Sequence, residues 1–259
     1  MNEHREPPAV SADDLHDHIR HYQELVGSDI QFAFQTIVDA RELEVVAFEA
    51  LVRGLHGEAA ARVISRIAQK DRFAFDQACR IRALEAAARD DIDLDLHLNC
   101  AEIRLANVNL VCEITHHMAR RYRIDSERIV LEIGSVERLG TRPQLADIGA
   151  ILKTAGLRAL ADNVGRHHAD LSALAAFRPD QIKLDRALTA DIERSPERQA
   201  VVRGCLSLCR DLGVRLIAGG IETAGEFSWL QEAGVDYFQG FYFTQPDLDA
   251  DRRRSRTLF

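Results

Sequence analysis

From residue 30 the chain alternates short apolar runs with longer amphipathic stretches. The short runs read QFAFQTIV, VVAFEAL, LDLHLN, RIVLEI, LRALA, QIKL, VRLIA and DYFQ, eight in all. Most are separated by segments with helical periodicity, such as FDQACRIRALEAAARD and RQAVVRGCLSLCRDLG. Strands alternating with helices predict a parallel α/β architecture. Eight runs over about 210 residues favour a closed barrel over an open sheet. The first two runs are joined only by turn-like residues around DAREL. A parallel crossover needs about a dozen residues, so one strand near the start should run antiparallel. The expected fold is therefore α/β: a modified (β/α)8 TIM-like barrel with one antiparallel strand near its start.

Residues 1–28 read as a leader before a domain spanning 29–259. Glu6-Pro7-Pro8 predicts a disordered start. Ser11 is placed to cap a helix, with Asp14 three residues later. Leu15, Ile19, Tyr22 and Val26 then recur at helical spacing. That pattern predicts a helix packed on the domain; the alternative is a helix that binds a partner.

Charge and composition narrow the function. The formal net charge of -8 argues against non-specific nucleic-acid binding, which needs a positive field. It leaves an anionic nucleotide ligand open, since a few placed cations hold one locally. No apolar run is long enough for a membrane span, and MNEHREPPAV has no signal-like apolar region. A cytoplasmic location is expected. The five cysteines include Cys205 and Cys209, four apart on one helix face. Buried thiols in a reducing compartment are expected, with a zinc or redox site as the alternative.

Polar residues interrupt the apolar runs at their C-terminal ends. They are Glu49, Asn99, Glu132, Asp162, Lys183, Asp185 and Gln239. In a barrel these ends share one rim, where active sites are built. Any one of them is explained by a loop beginning there. Together, several carboxylates and an amide look like a hard-cation site with oxygen ligands.

Seven segments in order resemble the EAL domain family. FQTIVDARELEVVAFEALVRG contains the Glu49-Ala50-Leu51 signature and Arg53. LHLNC, VLEI, ALADNVG, PDQIKLDRAL, IAGGIET and DYFQGFYFTQP resemble the family's later motifs, over about residues 30–246. The resemblance implies a barrel that binds cyclic di-GMP at its C-terminal rim. In active members two Mg2+ or Mn2+ ions serve hydrolysis to linear pGpG. By match, Glu49, Asn99, Glu132 and Asp162 would bind the first ion, with Asp162 shared with the second. Lys183 would hold the attacking water and the phosphate. Asp185 and Glu222 would support the metal site. Gln35, Arg53 and Gln239 would contact the nucleotide.

The departures from that pattern matter as much. Asn163 stands where the family has a second Asp, which weakens the second metal site. Gly219 stands where the family has its proposed general base. Ser135 replaces a Glu that braces the loop after Asp162-Asn163, and that loop is itself rewritten at 165–171. Thr36 replaces a proline. Local rescue would fall to Glu137 as a brace or to His167 and His168 as metal ligands, although adjacent loop histidines are more often solvated. A lost base and a lost ligand together imply a defect of roughly 10³–10⁶-fold.

The expected function is thus a degenerate, non-catalytic member that binds cyclic di-GMP, a protein partner, or both, with one divalent ion or none. Some lapsed stand-alone members of the family act on transcription regulators. The alternative is a weak or conditional cyclic di-GMP phosphodiesterase; a purely structural barrel is the third reading. The rewritten loop leaves a homodimer open, because active members dimerise near it.

Overall fold

The computed structural model describes residues 12–26, 29–166 and 171–248. Eight strands close into one barrel in chain order. They are β1 (Ile30–Asp39), β2 (Glu44–Gly54), β3 (Asp95–Asn99), β4 (Ile129–Gly134), β5 (Arg158–Val164), β6 (Gln181–Leu184), β7 (Arg215–Ala218) and β8 (Tyr237–Phe238). All eight coincide with the apolar runs. β1 pairs antiparallel with both β2 and β8, and the remaining neighbours are parallel. The short 40–43 turn permits only a hairpin, so β1 is the reversed strand that its length predicts.

Helices α1 (Ala12–Val26), α2 (Ala60–Ser65), α3 (Arg72–Arg89), α4 (Val108–Tyr122), α5 (Arg142–Thr154), α6 (Leu171–Phe177), α7 (Arg186–Thr189), α8 (Pro196–Leu212) and α9 (Ala224–Ala233) accompany the strands. The main core lies between this layer and the barrel's outer face. Ile19 and Tyr22 of α1 belong to that core, and the Tyr22 ring meets Phe73 of α3 edge-on. The leader helix is thus packed on the barrel. Its expected cap, Ser11, lies outside the described residues, as do Glu6-Pro7-Pro8.

A second, smaller buried cluster comprises Ile37, Ala47, Val130, Leu160 and Ile217. These residues come from five different strands and plug the barrel's inside. Side chains alternate faces along a strand, so positions two residues further on share that inside face. Glu49, Glu132, Asp162 and position 219 therefore form the next interior layer, nearer the C-terminal ends. On reversed β1 the equivalent step runs backwards, from Ile37 to Gln35. The barrel has an apolar floor and a polar upper layer.

The five cysteines are free. Burial pushes the Cys100 thiol up to about 12, Cys112 to about 11 and Cys209 to about 12. Thiols held protonated are poor nucleophiles and poor metal ligands, which favours the buried-thiol reading. Among the described residues no helix is long and apolar enough to cross a membrane.

Candidate functional site

The polar layer converges on one ammonium. Lys183 Nζ lies 3.0 Å from Glu49 Oε2, 2.7 Å from Glu132 Oε2 and 3.5 Å from Asp162 Oδ1. Strand register explains the meeting. Asn99 sits opposite Glu132, Gly134 opposite Asp162, and Lys183 opposite Ile217. Glu49 is held further by Gln239 Nε2 at 2.7 Å and Asn99 Nδ2 at 3.3 Å. Gln239 Nε2 also reaches Gln35 Oε1 at 3.4 Å, and Gln35 donates to the Thr244 carbonyl at 3.0 Å. Seven of the residues expected at the site, Gln35, Glu49, Asn99, Glu132, Asp162, Lys183 and Gln239, thus form one connected group.

Three carboxylates and one ammonium in a buried place cannot all be ordinary. Burial opposes the charged form of Glu49, but the Lys183 ammonium and the Gln239 hydrogen bond outweigh it and hold Glu49 down at about 2. Burial and repulsion from Glu49 raise Glu132 to about 8, against the pull of Lys183. Burial, with repulsion from Glu132 and Glu49, raises Asp162 to about 6 despite Lys183. Burial would strip Lys183 of its proton, yet Asp162, Glu132 and Glu49 hold it well above its usual value. The layer therefore carries one fixed cation, one firm anion and two carboxyls whose pKa values are raised toward neutrality.

The donor set suits a hard cation: carboxylate and amide oxygens, with no sulfur. As arranged, the carboxylates close on Lys183. Among the described residues no three His, Cys, Asp or Glu side chains stand ready to hold a metal ion.

The remaining expected residues lie apart from this group. Asp185 caps α7, its carboxylate accepting the Ala187 N–H at 2.8 Å. Glu222 pairs with Arg186 Nη2 at 2.9 Å and is substantially exposed. Both carboxylates are engaged locally, by a helix start and by an arginine. Arg53 has the same strand parity as Glu49, two steps nearer the rim. It makes a 2.9 Å bond to the Val52 carbonyl. Burial pulls its pKa down, and Glu49 partly offsets this.

The departures have structural consequences. Asn163 lies where β5 slips against β6, at φ 59°, and donates Nδ2 to Asp162 Oδ2 at 2.6 Å. Position 219 falls on the interior layer with no side chain. A Cβ there would stand 2.7 Å from the Leu184 carbonyl oxygen and 3.3 Å from Lys183 Cγ. Ser135 takes a left-handed conformation at φ 53°. Glu137 is exposed. His167 and His168 lie outside the described residues.

Sequence reasoning missed three partners. His97, fully buried, meets Glu132 Oε1 through Nδ1 at 2.9 Å. Burial and the Lys183 charge lower its pKa to about 3, so the ring is neutral, and the direction of its bond to Glu132 follows the tautomer. It precedes Asn99 by two residues, so the same alternation would have found it. Thr36 shares a 2.5 Å hydroxyl bond with Thr244, tying β1 to the segment after β8. Arg186 bonds the Gly220 carbonyl as well as Glu222 and Glu226, fixing the turn after position 219.

The EAL domain family matches residues 20–246 of the chain. A standalone versatile EAL protein from Vibrio cholerae O395, solved with cyclic di-GMP bound, is 35% identical with a TM-score of 0.78. That likeness covers 85% of this chain and 93% of the other. BlrP1 of Klebsiella pneumoniae, solved with manganese and cyclic di-GMP, is 30% identical with a TM-score of 0.76, covering 85% of this chain and 56% of that one. The blue light- and temperature-regulated antirepressor BluF of Escherichia coli (strain K12) is 27% identical over 221 residues. That match covers 84% of this chain and 54% of BluF, so the chain spans about half of that relative's length.

Proposed function

The chain belongs to the EAL domain family, and from that premise we propose that it is a regulatory member that binds cyclic di-GMP without turning it over and signals through a protein partner. One observation carries this reading: the interior layer has no side chain at Gly219, where an added Cβ would stand 2.7 Å from the Leu184 carbonyl oxygen. The family's base position is thereby empty beside the layer's lysine. Asn163 supports the reading, since a neutral amide, not a carboxylate, faces Asp162.

The binding half rests on what remains. Gln35, Arg53 and Gln239 line the inside face, and a guanidinium on the rim suits a phosphate. Glu49, Asn99, Glu132 and Asp162 would hold one Mg2+ or Mn2+ ion. Bound there, such an ion supplies charge that offsets the phosphate oxygens. The solved relatives with cyclic di-GMP bound support this ligand class. A relative named as an antirepressor supports output through a protein, with a transcription regulator as the model.

A second reading, slow hydrolysis to linear pGpG, is favoured by the intact Lys183 and its three carboxylates. The test is a long incubation with cyclic di-GMP in Mn2+, with pGpG quantified against a no-protein control. Background turnover, together with a raised thermal midpoint on adding the nucleotide, is the expected result. Turnover at the rate of an ordinary family phosphodiesterase overturns the proposal.

A further inference from the structure

Helix α3 carries an ion pair that faces away from the barrel's inside. Arg80 is 2% exposed and Asp76 9%. The Arg80 guanidinium donates to the Asn99 carbonyl at 3.2 Å, to Asp76 Oδ2 at 3.2 Å and to Gln77 Oε1 at 2.5 Å. Asp76 Oδ1 accepts the Ala101 N–H at 3.0 Å. The pair therefore grips the backbone on both sides of Cys100. The Cys100 N–H in turn donates to the Glu132 carbonyl at 2.8 Å. Three consecutive residues at the end of β3 are fixed by α3 on one side and by β4 on the other.

A buried ion pair is weak evidence for stability, because desolvation offsets most of its attraction. Its geometry is the better explanation for its presence. A cleft of about 220 Å³, lined by residues including Leu51, Cys79, Leu98 and Ala101, lies beside the pair. The end of β3 has room to shift if the grip is lost. We infer that Asp76 and Arg80 are positioning residues: they set the backbone from which Asn99 reaches Glu49 and the ligand site. The inference rests on the reading of Asn99 as part of a nucleotide site.

The test uses the full chain and two readouts. Amide hydrogen exchange at Ala101 in the free protein reports the grip directly. The cyclic di-GMP affinity reports its consequence. Arg80→Met and Asp76→Ala should speed Ala101 exchange and weaken binding by about 10-fold, the lower end for outer-shell partners. Arg80→Lys, which keeps the charge for Asp76, should fall between these and wild type, and serves where the other variants fold poorly. Leu152→Ala, at the far end of α5, should lower the thermal midpoint and leave both readouts unchanged. Unchanged Ala101 exchange in Asp76→Ala overturns the inference. So does an equal loss of affinity in Leu152→Ala and Arg80→Met. Wild type that does not bind the nucleotide defeats the proposed function, while Ala101 exchange still decides the grip.

Discussion

Asn163 donates its side-chain amide to Asp162 Oδ2 at 2.6 Å. Its backbone sits at φ 59°, a region that Asn and Asp enter more readily than other side chains. Aspartate would therefore fit the backbone but would point a second carboxylate at the first. Without a cation that pair repels. Asn163→Asp should thus destabilise the protein in chelator by about 1–3 kcal/mol, lowering its thermal midpoint, and make Mn2+ clearly stabilising. Wild type should respond weakly to the same ion. Thermal melts in chelator and in Mn2+ check this, and equal responses of the two proteins contradict it.

Stability should fall with rising pH just above neutrality. A carboxyl raised from 4.5 to about 8, as Glu132 is, stays protonated in the folded protein where the unfolded chain is ionised. The unfolded state then binds fewer protons, and stability drops as pH rises. Asp162, raised from 3.8 to about 6, acts in the same direction at lower pH. His97, lowered from 6.5 to about 3, acts oppositely across its own range. Above about pH 6.5 Glu132 is the main contributor, with the raised buried thiols adding in the same direction near pH 8. Between there and about pH 8 the loss should be about 1–2 kcal/mol. Urea titrations at the two ends measure it, and Glu132→Gln should remove most of the slope.

Position 219 resists simple repair. The Cβ of any new side chain meets the Leu184 carbonyl oxygen at 2.7 Å, and that carbonyl already accepts the Gly219 N–H. Gly219→Ala should cost about 1–3 kcal/mol, the scale of overpacking. Gly219→Glu alone should yield no measurable pGpG. Groups that act as a unit are strongly non-additive. Ser135→Glu, Asn163→Asp and Gly219→Glu together should exceed the product of the three singles in a Mn2+ assay. A fully active Gly219→Glu single variant would show that the lost base was the whole defect.

Arg53 should matter for binding and little for folding. Its guanidinium makes a bond to the Val52 carbonyl and lies on the rim side of Glu49. Arg53→Ala should weaken cyclic di-GMP binding about 10- to 100-fold, the worth of a hydrogen bond to a charged group. The thermal midpoint of the free protein should barely move. An unchanged affinity would place the phosphates elsewhere.

The barrel was legible because its signals are local. Eight apolar runs, and one loop too short for a crossover, set the strand count and the direction of β1. The site was legible because Glu49, Asn99, Glu132, Asp162 and Lys183 close their apolar runs at C-terminal ends that share one rim. What that placement leaves open is how side chains are engaged. Asp185 and Glu222 look like members of the rim group in one dimension. A helix start and Arg186 engage them instead, and nothing at their own positions announces that. The overlooked His97 has the parity of Asn99, but a histidine inside an apolar run reads as core. The Asp76–Arg80 grip was invisible because it joins a helix to a distant strand end through backbone atoms.

The central claim, a receptor in place of an enzyme, is tested most directly by titrating cyclic di-GMP into the protein in a calorimeter, in chelator and then in Mn2+, and assaying the recovered nucleotide. A binding protein gives saturable heat in both conditions, tighter binding in Mn2+, and nucleotide recovered intact. No heat at concentrations on the order of 100 μM, a limit near 5 kcal/mol of binding free energy, or recovery of linear pGpG, contradicts it.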